Sequence, residues 1–511
     1  MFSIYQAKSA TLLLPDTCTL QTHTGTIDKY NYSFSGSNYH LYKEASVVTQ
    51  GKSVPIVFIT NGNGYSAYGN NHSYDKLAKH LAGNGFLVIT AQRPSNSTDK
   101  EQFTDRVIKK VIANFQLKSY SPVGLIGHSV GGDVVINAAK YNHTQSSKLN
   151  IQALMTIAPN TYITHYNRLN ASHTPAYFTI YGSQDHDMSG STSTLRESFA
   201  TFNWAGTEYT TYNQAGATAS TNRMDKHMIF VHGADHGGLI GSIHYDSATN
   251  VNDDYISTPN QFCITKGYAN AFMRWKLNNQ TLYQSYMLGN IVPKSIADMV
   301  SYRSDFKGNP AGTKLRMKFQ SSVMYRHSIE NFEDNDYDVY YKTANVHLTK
   351  IDQKQHSAYP HYIRDFTNSL LIRWKSYSQY QYAAFALNYF DKFSSNYNYL
   401  SIRIGQLWNE NLYHENTSNN QYSNGINQSK TLYVGLKDKN NHFVWKEVTI
   451  QPNDKRKNAS YNVGKTELET IRLPLSGFNN LDRNNLVAVY LAFKPNTEGS
   501  IVIDNIEWTT K

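Results

Sequence analysis

The chain has 511 residues and a formal net charge of +10, with 40% hydrophobic and 17% charged residues. This excludes a disordered or coiled-coil protein, and the length calls for more than one domain. The basic residues are spread without a charged run, and no helix-turn-helix, zinc-finger or RNA-binding signature accompanies them. No nucleic-acid partner is therefore expected.

The first half alternates strand and helix patterns. Val54–Thr60 is a continuous apolar run, as a strand buried on both faces requires. From Ser73 to Ala82, Leu77, Ala78 and Leu81 fall on one helical face, and Gly83-Asn84-Gly85 ends the pattern before a strand at Phe86–Thr90. Phe103, Val107, Ile108, Val111 and Ile112 mark a helix over 101–116. Pro122–Ile126 is the next strand, followed by a helical pattern from Asp133 to Lys140. Strands then follow at Ala153–Ile157, Ala176–Tyr181 and Met228–Val231, with a final amphipathic stretch over Lys266–Met287. This alternation predicts a doubly wound α/β sheet over residues 1–289. Beyond it, short runs of alternating character at 370–374, 400–404, 431–436, 487–493 and 501–508, divided by Asn-, Gly- and Ser-rich turns, predict an all-β antiparallel sandwich over 290–511.

The chemistry concentrates at Gly127-His128-Ser129-Val130-Gly131-Gly132, between the Pro122–Ile126 strand and the following helix. A Ser flanked by glycines on a sharp strand-to-helix turn is the setting of a nucleophile elbow. A hydroxyl needs a general base, and the base an orienting carboxylate, in the order Ser, acid, His on this fold. Asp185 and Asp187 follow the strand ending at Tyr181; His232 and His236 follow the strand ending at Val231. The oxyanion hole should take its N–H groups from Val130 and from the loop Asn61–Ala67. His227, His232 and His236 with the two aspartates could also be read as a metal cluster, but their spacing lies on no evident helix, and metal is the weaker reading.

These motifs resemble the bacterial cutinase and polyester-hydrolase group of the α/β-hydrolases, which includes the PET hydrolases. Gly64-Tyr65-Ser66-Ala67 is similar to that group's oxyanion loop and Leu81–Thr90 to its helix-to-strand passage. The elbow matches closely, including its His, and Phe272–Tyr283 is similar to the C-terminal helix region. The resemblance spans about residues 30–288. It implies a serine esterase with Ser129 as nucleophile, Asp185 as acid (Asp187 in reserve) and His236 as base. Tyr65 and Val130 would supply the oxyanion N–H groups. Gly64, Tyr65, His128, Tyr162 and Ile163 would be substrate-contacting, although His128 by itself reads as a packed neighbour of the elbow.

Two departures fall on substrate-facing parts. Tyr162 and Ile163 stand where the group carries a Trp after the Ala-Pro pair, and an added segment over about 201–225 lengthens the gap before His236, where it would form a flap. Lipase, thioesterase and amidase chemistry stay open on the same fold, as does a glycan-binding protein with an inactive hydrolase half. No catalytic cofactor is required. In the sandwich, Glu330–Asp336 and Asp504 suggest a structural calcium site, by similarity to jelly-roll carbohydrate-binding modules, and a carbohydrate partner for that domain. No stretch is long and apolar enough to span a membrane, and no charged-plus-apolar leader is visible. An extracellular or periplasmic esterase acting on polymer-associated esters is the expectation. Cys18 and Cys263 pair only in an oxidising compartment.

Overall fold

The structure, a computed structural model, describes residues 25–34, 37–47, 49–62, 73–92, 100–160, 169, 172–182, 185, 202, 205, 224–242, 256–289, 292–293, 296, 300–305, 313–318, 341–342, 346–351, 369–386, 397–406, 429–450 and 468–509. The chain divides into two compact units that change over at Lys307/Gly308.

The first unit is built on a nine-stranded sheet. Its strands are β1 (Ile27–Phe34), β2 (Ser37–Glu44), β3 (Ile56–Thr60), β4 (Leu87–Ala91), β5 (Pro122–His128), β6 (Asn150–Ile157), β7 (Ala176–Gly182), β8 (Asp225–Val231) and β9 (Val300–Asp305). They lie in the order β1-β2-β4-β3-β5-β6-β7-β8-β9. Strands β3 to β8 run parallel; β1, β2 and β9 pair antiparallel at the two edges. Every residue of β3, β4 and β7 is buried, which explains why these strands read as unbroken apolar runs.

The connecting helices bury the faces their spacing marks. α1 (Ser73–Ala82) turns Leu77, Ala78 and Leu81 inward, and Gly85 at φ +92° provides the left-handed residue that ends it. α2 (Lys100–Asn114) and α3 (Val130–Thr144) follow β4 and β5. α4 (Thr258–Leu277) places Ile264, Tyr268, Phe272 and Met273 in the core with Phe178 and Ile229. Full burial of each such side chain contributes about 1.5–3 kcal/mol.

The predicted helix over 266–287 is two pieces. α4 ends at Leu277 because Asn279 takes a left-handed φ of 54°, and a short α5 (Gln284–Met287) follows a single 3₁₀ turn. The expected boundary at residue 289 is also corrected. β9 pairs with β8 from Lys226↔Asp305 to Val231↔Val300, so the sheet of the first unit continues past it.

The second unit is a β-sandwich, in agreement with its alternating pattern. Its strands are β10 (Thr313–Lys318), β11 (Tyr341–Lys342), β12 (Val346–Ile351), β13 (Ser369–Trp374), β14 (Gln381–Ala386), β15 (Tyr399–Gly405), β16 (Lys430–Asp438), β17 (Phe443–Ile450), β18 (Glu469–Pro474), β19 (Leu486–Phe493) and β20 (Gly499–Thr509). One sheet runs β12-β13-β20-β15-β18 with β10 also on β20; the other runs β11-β14-β19-β16-β17. Their inner faces share one core, in which Trp374 of β13 stacks on Phe493 of β19 with centroids 4.1 Å apart. Among the described residues no helix is long and apolar enough to cross a membrane. Cys263 is buried on α4, and Cys18 lies outside the described residues.

Candidate active site

The site assembles at the carboxyl ends of β3, β5, β7 and β8. β5 ends at His128 and α3 begins at Val130, which leaves Ser129 alone to make the turn. Its φ of 53° and ψ of −125° are costly for a residue with a Cβ, and three hydrogen bonds hold them. Ser129 N–H donates to the Ile157 carbonyl at 3.0 Å, and its own carbonyl accepts from Gly132 at 2.9 Å and Asn160 at 3.1 Å. The glycines around it are steric necessities. A Cβ on Gly127 would lie 2.1 Å from the Gly131 carbonyl oxygen, and one on Gly131 would lie 2.7 Å from that of Asn61. Val130 opens α3, where backbone N–H groups have no intrahelical acceptor, and this suits the oxyanion role expected of it.

The residues expected to serve as acid and base sit at the ends of β7 and β8. β7 runs into Gly182, which must be glycine because a Cβ there would lie 2.2 Å from the Ala234 carbonyl oxygen. Three residues on, the buried Asp185 accepts from His236 Nδ1 at 3.0 Å. In the neutral imidazole that hydrogen bond puts the proton on Nδ1 and leaves Nε2 as the basic nitrogen.

The loop carrying His236 turns at Gly233, φ 77°, and is clamped from α4. Gln261 Oε1 accepts from Asp235 N–H at 3.0 Å, while Gln261 Nε2 donates to Asp235 Oδ2 at 2.9 Å and to the Ile256 carbonyl at 2.8 Å. The other Asp235 oxygen accepts from Gly238 N–H at 2.7 Å. Gln261 carries no sequence signal; only the position of Asp235 beside His236 hints at the clamp.

His128 is fully buried at the elbow. Its Nδ1 lies 2.7 Å from Tyr74 Oη, its Nε2 lies 3.2 Å from the His236 carbonyl, and its ring centroid is 4.7 Å from that of His236. Burial first, and then the neighbouring His236, push its imidazole well below the ordinary 6.5, so the ring is neutral at neutral pH.

The His227 ring packs 5.2 Å from that of Trp275, His232 packs edge-on against Phe230, and no group of three potential ligands forms among the described residues. Gly64, Tyr65, Tyr162, Ile163, Asp187 and Glu330–Asp336 lie outside the described residues, as does the side chain of Asp504. Most of the 201–225 segment lies outside them too. Its Phe202 is buried with Tyr181, Met228 and Phe230, and its carbonyl accepts from Lys226 Nζ at 2.9 Å.

No family model matches the chain, and no curated protein sequence is similar to it. Solved structures resemble each unit separately. A Klebsiella pneumoniae protein described as a dienelactone hydrolase is 13% identical, with 48% of this chain and 98% of that one covered and a TM-score of 0.32. An esterase domain from a Rhodothermus marinus protein is 11% identical, covering 49% and 100%, with a TM-score of 0.31. A family 11 carbohydrate-binding module from a cellulosomal cellulase of Clostridium thermocellum is 13% identical, covering 39% and 94%, with a TM-score of 0.23. At these identities the likeness concerns fold.

Proposed function

We propose that the first unit is a serine carboxylic-ester hydrolase. The observation that carries this reading is the strained Ser129 turn at the end of β5, beside a buried Asp185–His236 pair at the ends of β7 and β8. In this mechanism Ser129 Oγ attacks the ester carbonyl carbon as its proton passes to His236 Nε2. Asp185 stabilises the imidazolium so formed, and N–H groups from Val130 and the loop after β3 take the developing oxyanion charge. The carbonyl–oxygen bond then breaks, with the proton going to the leaving alcohol. Water repeats the sequence on the acyl-enzyme. No cofactor enters these steps.

The test is labelling of Ser129 by a fluorophosphonate, followed by a p-nitrophenyl acyl-chain series run beside insoluble polyester and acetylated xylan. Labelling with turnover of esters is expected. A folded protein whose Ser129 does not label would overturn the reading, and turnover confined to amides or thioesters would replace the ester class. Esters borne on a polymer, in the manner of cutinase and polyester hydrolases, are the proposed substrates. The proposal carries an extracellular or periplasmic location with it, because such polymers lie outside the cell.

A second reading concerns the sandwich, and a separate observation favours it. The outer face of the β11-β14-β19-β16-β17 sheet carries exposed aromatic rings. Phe443 and Trp445 are 42% and 40% exposed and lie parallel, 8° apart in plane. Trp445 lies across Gly435, where a Cβ would come within 2.4 Å of the indole, and both rings meet Tyr490 edge-on. Tyr382 and the Tyr380–Tyr433 pair extend the surface, and Glu447 and Lys494 make an ion pair on it. Flat rings beside polar groups suit the apolar faces and hydroxyls of a sugar polymer. We infer that this face holds polysaccharide. Retention of Trp445→Ala on insoluble polysaccharide at the level of the unaltered chain would overturn that inference.

A further inference from the structure

The ester-hydrolase reading above uses Ser129, Asp185 and His236, and leaves unexplained a buried chain of polar groups that links the loop after β3, the elbow and the loop of His236. The N–H of Gly62, in the loop after β3, lies 3.3 Å from Tyr74 Oη; Tyr74 Oη lies 2.7 Å from His128 Nδ1; His128 Nε2 lies 3.2 Å from the carbonyl oxygen of His236. Chemistry alone sets the direction of every bond in this chain. A carbonyl can only accept, so His128 Nε2 carries the ring's proton. His128 is neutral, so Nδ1 is then an acceptor and the Tyr74 O–H must donate to it. The phenol oxygen keeps a lone pair for the Gly62 N–H.

We propose that Tyr74 and His128 are positioning residues of the esterase site, forming a relay that locks the oxyanion loop, the nucleophile elbow and the backbone of the general base into one geometry. The proposal rests on the ester-hydrolase reading and goes beyond it, since neither side chain needs to touch substrate.

Three observations support it. The loop is pressed against the elbow with no slack: a Cβ on Gly62 would lie 2.7 Å from Ser129 Cβ and 3.0 Å from His128 Nδ1. The relay is attached to the rigid part of the unit, because the residue after Tyr74 anchors α1 to the edge strands. Asp75 accepts from Lys29 Nζ at 3.0 Å and from the Tyr42 hydroxyl. Finally, a neutral ring beside His236 adds no positive charge where the imidazolium must form, whereas a charged group at the same place would oppose it. A misplacement of about 1 Å in such a constellation costs on the order of 10²-fold in rate, so a small relay has a large effect.

The experiment compares Tyr74→Phe, His128→Leu, His128→Gln and Asn142→Ala in the full-length chain. It reads fluorophosphonate labelling of Ser129, kcat and KM on a soluble p-nitrophenyl ester, and Tm. Tyr74→Phe keeps the ring and its packing and loses only the hydroxyl. It is expected to lower kcat about 10- to 100-fold with little change in KM. His128→Leu is expected to match it or exceed it. His128→Gln, whose amide again supplies a donor and an acceptor, is expected to recover most of the loss. Asn142→Ala, which removes two buried hydrogen bonds to Leu149 at the carboxyl end of α3, is expected to lower Tm and leave kcat near that of the unaltered chain.

If the unaltered chain neither labels at Ser129 nor turns over ester, the hydrolase reading falls and the relay with it. If it labels and turns over but Tyr74→Phe is equally fast, the relay alone is overturned. Equal kcat losses in Asn142→Ala and Tyr74→Phe, or no recovery in His128→Gln over His128→Leu, also overturn it, because general stability or packing rather than the relay would then carry the effect.

Discussion

The two sheets of this chain that carry proposed sites are organised in opposite ways. In the first unit, β3, β4 and β7 are buried along their whole length, and chemistry is confined to the strand ends, where Ser129, Asp185 and His236 lie in loops. In the sandwich, the proposed site is a strand face. Along β17, Phe443, Trp445 and Glu447 are exposed while Val448 and Ile450 are buried. A parallel sheet covered on both sides can offer a ligand only its edge of loops, whereas an antiparallel sheet needs just one face for its core. The first arrangement suits a few groups held at short distances, and the second a broad, shallow contact with a polymer.

Substitutions should separate the two. The largest expected effect is that of Ser129→Ala, which should lower ester turnover by about 10⁴-fold or more with polysaccharide retention unchanged. An assay of both properties on the same preparation checks it. Gly62→Ala should follow, with a loss of about 10²-fold in kcat, because the new Cβ must displace Ser129 or His128; retention should again be unaffected. Trp445→Ala should do the reverse. It should weaken retention about 10-fold while soluble-ester kinetics stay the same, and a parallel loss of soluble-ester turnover would break the division of labour.

The smallest expected effect concerns acid stability. His128 is held below its ordinary value of 6.5, so between that value and its folded value the unfolded chain binds a proton that the folded one does not. Stability is therefore complete above about pH 6.5 and falls on acidification, by about 1.4 kcal/mol per pH unit for one proton. Asp438 in the sandwich behaves differently. Burial would raise its carboxyl, but hydrogen bonds from the Asp482, His442 and Asn440 backbones and from the His442 ring hold it below the ordinary 3.8. Its contribution is present above that value and lost only as pH falls below it. Calorimetry from pH 7 to pH 3 should show the first unit weakening at milder acidity than the second. Weakening of both over the same range would remove the contrast.

How much was legible follows the same division. The central strands and the α1 and α2 helices were readable because their burial is written as continuous runs or a single helical face. The edge strands β1 and β2 were not read at all, because their mixture of Tyr, Asn, Ser and Lys carries no clear period. β17 was missed since its aromatics point away from the core. In the site, Ser129 and the order of Asp185 and His236 were visible as local motifs. Tyr74 and Gln261 were not: each sits on an ordinary helix far along the chain from its partner, and its role is a contact rather than a pattern.

The sequence by itself determined the alternating order of the first half, the elbow at Ser129 and the change to short alternating strands, since these rest on residues near one another in the chain. Tertiary structure alone decided that β9 belongs to the first sheet, that His128 faces inward, and that Gln261 and Tyr74 support the loops around the site. It also decided that Phe443 and Trp445 lie outside the sandwich. The physical reason is that backbone propensity and hydrophobic period act over a few residues, whereas hydrogen-bond partners and the covering of a sheet face are settled only when segments tens to hundreds of residues apart are packed together.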